Sequence, residues 1–89
     1  STGPSMVYCI YREYNDANIR EEIFNVLLER EYTDFDFKDL ATIVRHGDLS
    51  ILKLLQKHEV DMKVMNEEIL YFEGNATEEI VSFLLECGL

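Results

Sequence analysis

The sequence predicts an all-α fold, a helical-hairpin repeat in which three short hairpins stack as a solenoid and are joined by short finger loops. Three observations predict it. The stretches "NIREEIFNVLLER", "HGDLSILKLLQKH" and "ATEEIVSFLLECG" superimpose in apolar pattern, with Ile23, Ile51 and Ile80 in one column and Phe24, Leu52 and Val81 in the next. Val26, Leu54 and Phe83 follow, then Leu27, Leu55 and Leu84, so the pattern recurs every 28 or 29 residues. Such a period marks stacked supersecondary units. Within each stretch the spacing is i, i+3, i+4, the spacing of one helical face.

Taken in order, "STGPS" (residues 1–5) reads as an expression-tag remnant, and residues 6–89 as a single domain of three units, 6–36, 37–65 and 66–89. In the first unit "VYCIYREY" supplies the first helix and "NDAN" a turn, and Asn18 with Glu21 makes a capping-box pair for the second helix. The loop "EYTDFDF" forms a finger, and "DLATIVR" is the first helix of the middle unit, with Leu40 and Ile43 inward. Gly47 then makes a tight turn and Asp48 caps a helix whose buried face carries Ile51, Leu54 and Leu55, widened by Leu52. After the connection "EVDMKVMN", "EEILYFE" repeats the short first helix with Ile69 and Phe72 inward, and Thr77 caps the last one. Helices of about ten residues are unstable alone, so each depends on its neighbours for burial.

Residues 38–63, "KDLATIVRHGDLSILKLLQKHEVDMK", resemble an ankyrin repeat. Leu40, Gly47, Leu49, Ile51, Lys53, Leu54, Leu55 and Asp61 stand at matching positions, and Ile80, Val81, Leu84, Leu85 and Gly88 match again in the last unit. The departures resemble the divergent arrays of large DNA viruses and protists, and another helical-hairpin repeat is the alternative. The family's "TPLH" is replaced by "KDLA" and "EEIL", which removes the usual Thr/His bracing of the turn. The glycine that ends the family's second helix is Glu31 and Glu59 here. A side chain there costs on the order of 1 kcal/mol or forces a different cap. The final "GL" stands where a further finger begins in the family, so the sequence reads as part of a longer array, or as one whose edge is covered by a partner or a second copy.

Eighteen acidic and eight basic residues give a formal charge of −10, and no Lys or Arg occurs from 66 to 89. That balance disfavours nucleic acid and anionic membrane, both of which need a basic footprint; it permits a protein partner with a basic surface, while a plainly solvated acidic face is the commoner reading of such a charge. No apolar run is long enough to span a bilayer. Two distant cysteines, Cys9 and Cys87, suit reduced thiols in a cytoplasmic or nuclear setting.

The chemistry-bearing patterns are weak. "DFDFKD" (34–39) alternates carboxylates like a calcium loop, but the sixth position is Asp39 instead of Gly and the twelfth is Arg45 instead of Glu. His46 and His58 have no ligand spacing with each other or with the cysteines, so no metal site is expected. The sequon "NAT" (75–77) reads as chance. Without a nucleophile motif, phosphate loop or spaced carboxylate pair, no enzymatic activity and no cofactor are expected.

The expected function is therefore protein recognition. Resemblance to ankyrin domains implies contacts from the fingers and the exposed ends of the first helices. Those positions are Asp34, Asp36, Phe37 and Lys38, then Arg45 and His46, then Met65, Asn66 and Glu67. Phe37 and Met65 would be apolar anchors if exposed, although the alternation in the finger also suits Phe35 and Phe37 pointing inward, and the carboxylates would select a basic ligand. The alternative is a homodimer formed through open apolar ends, by Ile80, Phe83 and Leu84 or by the stripe Tyr8, Tyr11 and Tyr14; a metal-binding or catalytic accessory domain is a more distant one.

Overall fold

The computed structural model describes residues 5–65 and 77–89, and among these the chain is all-helical, with no strand. Helix α1 spans Met6–Glu13, α2 Ala17–Glu29, α3 Phe37–Arg45 and α4 Leu49–Lys57; a 3-10 turn covers Met62–Val64, and α5 spans Glu78–Glu86. The expected helix over "EEILYFE", with Ile69 and Phe72, lies outside the described residues. Helix α1 packs on α3, α2 packs on α4, and α3 packs on α4. One core runs through them, with Val7, Phe24, Leu40, Ile43, Ile51, Leu52, Leu55, Ile80 and Leu84 all sealed from solvent. Leu54 is only half-buried, so the covered face of α4 is centred on Ile51, Leu52 and Leu55 and not on the expected Ile51, Leu54 and Leu55.

The helix ends explain why segments this short stop where they do. Four of them close in the same way. The amide after each cap donates to the carbonyl three residues back, and the next amide donates to the carbonyl five back: Glu31 to Leu28 and Tyr32 to Leu27, Gly47 to Val44 and Asp48 to Ile43, Glu59 to Gln56 and Val60 to Leu55, Gly88 to Leu85 and Leu89 to Leu84. This reversal needs a left-handed residue, which Gly47 and Gly88 adopt without a Cβ penalty. Glu31 and Glu59 adopt it as well, at φ 62° and 61°, so the helices do not find a different cap. Apolar contact between the residue after the turn and the last helical turn favours the reversal; Val60 and Leu55 are both buried. Replacing Glu59 by Gly is expected to raise stability by about 1 kcal/mol, measured as a higher urea midpoint, because it removes the left-handed strain of an L side chain.

The helix starts correct two expectations and add a third feature. Asp16, not Asn18, caps α2, its carboxylate accepting from the amides of Asn18 (2.8 Å) and Ile19 (3.4 Å). Asp48 stands before α4 but makes no side-chain cap, because its carboxylate is engaged elsewhere. At α3 the absent Thr/His bracing is replaced by a pair of carboxylates. The Asp39 amide donates to Asp36 Oδ1 (2.9 Å) and the Asp36 amide donates to Asp39 Oδ2 (3.1 Å), a reciprocal capping box. Thr77 caps α5 as expected, accepting from the amide of Ile80.

Candidate recognition surface

The Asp36–Asp39 box fixes the exit of the finger that precedes α3. Asp39 is nearly sealed, at 5% exposure, and its Oδ1 also accepts from the Val7 amide at 3.5 Å, tying the start of α1 to that of α3. Burial raises the Asp39 carboxyl above the usual range, with the Asp36 charge adding to it against the backbone donors. The finger itself folds inward through Phe35, which is buried against Phe24 and sits edge-on to Tyr32 at 5.2 Å. What remains outward is polar and mostly charged: Asp34, Asp36 and Lys38 are exposed, with Thr33 beside them. The field of that finger reaches Tyr32, whose hydroxyl is pushed up by burial and by Asp34, Asp39 and Asp36.

A second cluster joins three helices. The Tyr11 hydroxyl donates to Asp48 Oδ2 at 2.8 Å, its ring stacks on His46 at 4.3 Å, and the Arg20 guanidinium lies 4.8 Å over the ring. Arg20 also donates to the Tyr14 carbonyl at 2.9 Å. Burial and the Asp48 carboxylate raise the Tyr11 hydroxyl far above its ordinary value, so it stays a proton donor at neutral pH. His46 moves the other way, lowered by burial and by Arg20 and Arg45 against the pull of Asp48.

That shift has a testable consequence. Because folding favours neutral His46, its contribution is present above the ordinary value of 6.5 and is lost as pH falls through its lower folded value. Asp39 has the opposite sign: its contribution is complete below 3.8 and is lost as pH rises through its raised folded value, so it cannot produce the acid-side loss. The urea midpoint is expected to fall as pH drops below the ordinary value of 6.5, and His46→Gln to flatten that fall. An unchanged slope in the variant would remove His46 as the cause.

The expected binding positions fare unequally. Asp34, Asp36, Lys38, Arg45 and His46 reach the surface, and Phe37 is half-buried against the core. Met65 is 1% exposed, so it is a core residue and not a surface anchor; the 3-10 turn folds it inward, its amide donating to the Met62 carbonyl. Asn66 and Glu67 lie outside the described residues. Of the expected self-association residues, Ile80, Phe83 and Leu84 are buried, because α5 turns them toward the core. Tyr11 is buried too, and only Tyr8 and Tyr14 of the tyrosine stripe are exposed.

Two surface features were not expected. An open cleft of about 460 Å³ between α4 and α5 is floored by Leu49 and Phe83 and edged by Lys53, Glu78, Glu79 and Glu86. On the outer side of α2, Ile19, Ile23, Val26 and Leu27 line a shallow apolar groove beside Glu22. The signal for the second was present in the i, i+4, i+7, i+8 spacing of its residues, but nothing in that spacing tells an outer face from an inner one.

Among the described residues, no group of three His, Cys, Asp or Glu side chains is placed to hold a metal ion, and no helix is long and apolar enough to cross a membrane. Both cysteines are free and half-buried; burial and Glu86 raise the Cys87 thiol, against which the Gln56 amide lies at 3.4 Å. Such a thiol is a poor nucleophile. Comparison with known protein families, curated proteins and solved structures gives no significant match.

Proposed function

We propose that the chain is a non-catalytic protein-recognition module, an ankyrin-like array of stacked helical hairpins whose finger and first-helix ends hold a partner. The observation that carries this reading is the side-by-side packing of α1 on α3 and α2 on α4, the pairs that the repeat makes equivalent. Stacking of this kind lines up the finger and the ends of the first helices along one rim. On that rim Asp34, Asp36, Lys38 and Arg45 are exposed on a rigid support, and the net charge of −10 favours a basic ligand. A cytoplasmic or nuclear setting belongs to the same proposal, since it suits two free thiols.

The test is affinity capture with the parent chain beside the triple variant Asp34→Lys, Lys38→Glu, Arg45→Glu, followed by binding measurements with each purified captured protein. A partner held by the parent and lost by a variant with an unchanged melting curve supports the rim. Partners held equally by both place recognition elsewhere and sink the reading of these residues.

A further inference from the structure

The columns that define the repeat are not equally covered. In α5 the column residues Ile80 and Phe83 are 1% and 7% exposed, and in α4 Ile51 is 1% exposed and Leu54 half-buried. In α2 the same face is more open: Val26 is 50% exposed and Ile23 only half-buried against the core, and Ile19, one helical turn before Ile23, is 43% exposed. Among the described residues this face is thus covered in α5, largely covered in α4, and open in α2. Its own neighbour, α4, lies against the opposite side, where Phe24 and Leu28 are buried.

Charge says what kind of helix fits. Helix α4 carries Lys53 and Lys57 and no acidic residue, and it lies between α2, with Glu21, Glu22 and Glu29, and α5, with Glu78, Glu79 and Glu86. Glu22 and Glu29 stand seven residues apart along one edge of the open stripe, two turns of the helix. We propose that the outer face of α2 is a docking site for an amphipathic helix of another protein, with an apolar ridge set between Lys or Arg residues. Ile19, Ile23, Val26 and Leu27 receive the ridge, and Glu22 and Glu29 meet the basic edge. A second copy of this chain is the poorer occupant. Among the described helices, α2, which carries the face, and α5 are acidic, and two copies at −10 repel each other. This surface is separate from the finger rim, and the two stand or fall independently.

The test uses a helical peptide of about 18 residues with a leucine ridge and lysine edges, beside its counterpart with glutamate edges. Each is titrated into the parent chain, Val26→Asp, Ile19→Asp and the double variant Glu22→Lys, Glu29→Lys, and the binding is read by fluorescence anisotropy. Both single changes are at exposed positions, and melting curves check that each variant is folded. The lysine peptide is expected to bind the parent at least tenfold more tightly than the glutamate peptide. Val26→Asp and Ile19→Asp should each weaken it about tenfold, and the double variant should reverse the preference. Equal binding to parent and Val26→Asp would mean that charge alone holds the peptide elsewhere, and failure of both peptides to bind would exclude a docked helix. A concentration-dependent mass in sedimentation that Val26→Asp abolishes would give the face to a second copy. Each of these three outcomes overturns the proposal. The finger-rim triple variant should bind the lysine peptide as the parent does, which separates failure here from failure of the rim.

Discussion

Leu55→Ala is expected to destabilise the domain by about 2–5 kcal/mol, the largest effect of any single truncation proposed here. Leu55 is fully buried in the core shared by α2, α3 and α4, and its carbonyl also accepts the Val60 amide that closes α4. Removing the side chain leaves a cavity bounded by short helices with no stability of their own, and deletes the apolar contact that favours the left-handed turn at Glu59. A chain of this length has roughly 4–13 kcal/mol in total, so the loss reaches a large share of it. Leu54→Ala should cost clearly less, since Leu54 is half-buried, and exposed Glu78→Ala should stay within about 0.5 kcal/mol. Chemical denaturation of the three variants checks the order. Equal losses at Leu54 and Leu55 would contradict the packing described above.

The second large effect is expected at a polar residue. Asp39→Ala should cost about 2 kcal/mol, although no apolar volume of note is removed. Its two oxygens accept from the Asp36 amide at 3.1 Å and the Val7 amide at 3.5 Å, inside a site where Val7 itself is sealed from water. Truncation takes the acceptor from both amides at once and uncouples the start of α1 from that of α3. Asp39→Asn keeps one acceptor oxygen and should lose about half as much, which distinguishes the hydrogen bonds from a general intolerance at the site. Amide exchange at Val7 offers a direct reading. It should accelerate in the Ala variant more than exchange in α5 does.

The repeat columns made most of the helices legible in advance, and with them the core positions Ile51 and Leu55; Ile80 and Leu84 of the same columns were expected at an open end and are buried instead. Those columns record a period, and a period fixes which residues share a face. The polar connections resisted the same reading. Asp48 stands at the start of α4 in a pattern that says N-cap, yet its carboxylate serves the Tyr11 hydroxyl, a residue 37 positions away. Met65 lies in a polar connection that reads as surface, and the 3-10 turn carries it into the core. The family's Thr and His are absent from the α3 turn, as the sequence shows, and the reciprocal Asp36–Asp39 box that braces it instead is visible only in the structure.

The sequence by itself determined the helical class, the repeat period and the strongly acidic balance, whereas the left-handed closure at Glu31 and Glu59 was decided by the structure. The first three depend on residue type and local spacing, which govern backbone propensity, amphipathicity and net charge without reference to distant residues. Only the tertiary structure decided which apolar faces are covered. Ile23, Val26 and Leu27 belong to the same columns as Ile51, Leu54 and Leu55, and nothing local separates them. Whether such a stripe becomes core or surface depends on whether another helix lies against it, and that is a property of the packed assembly of helices, not of any one of them.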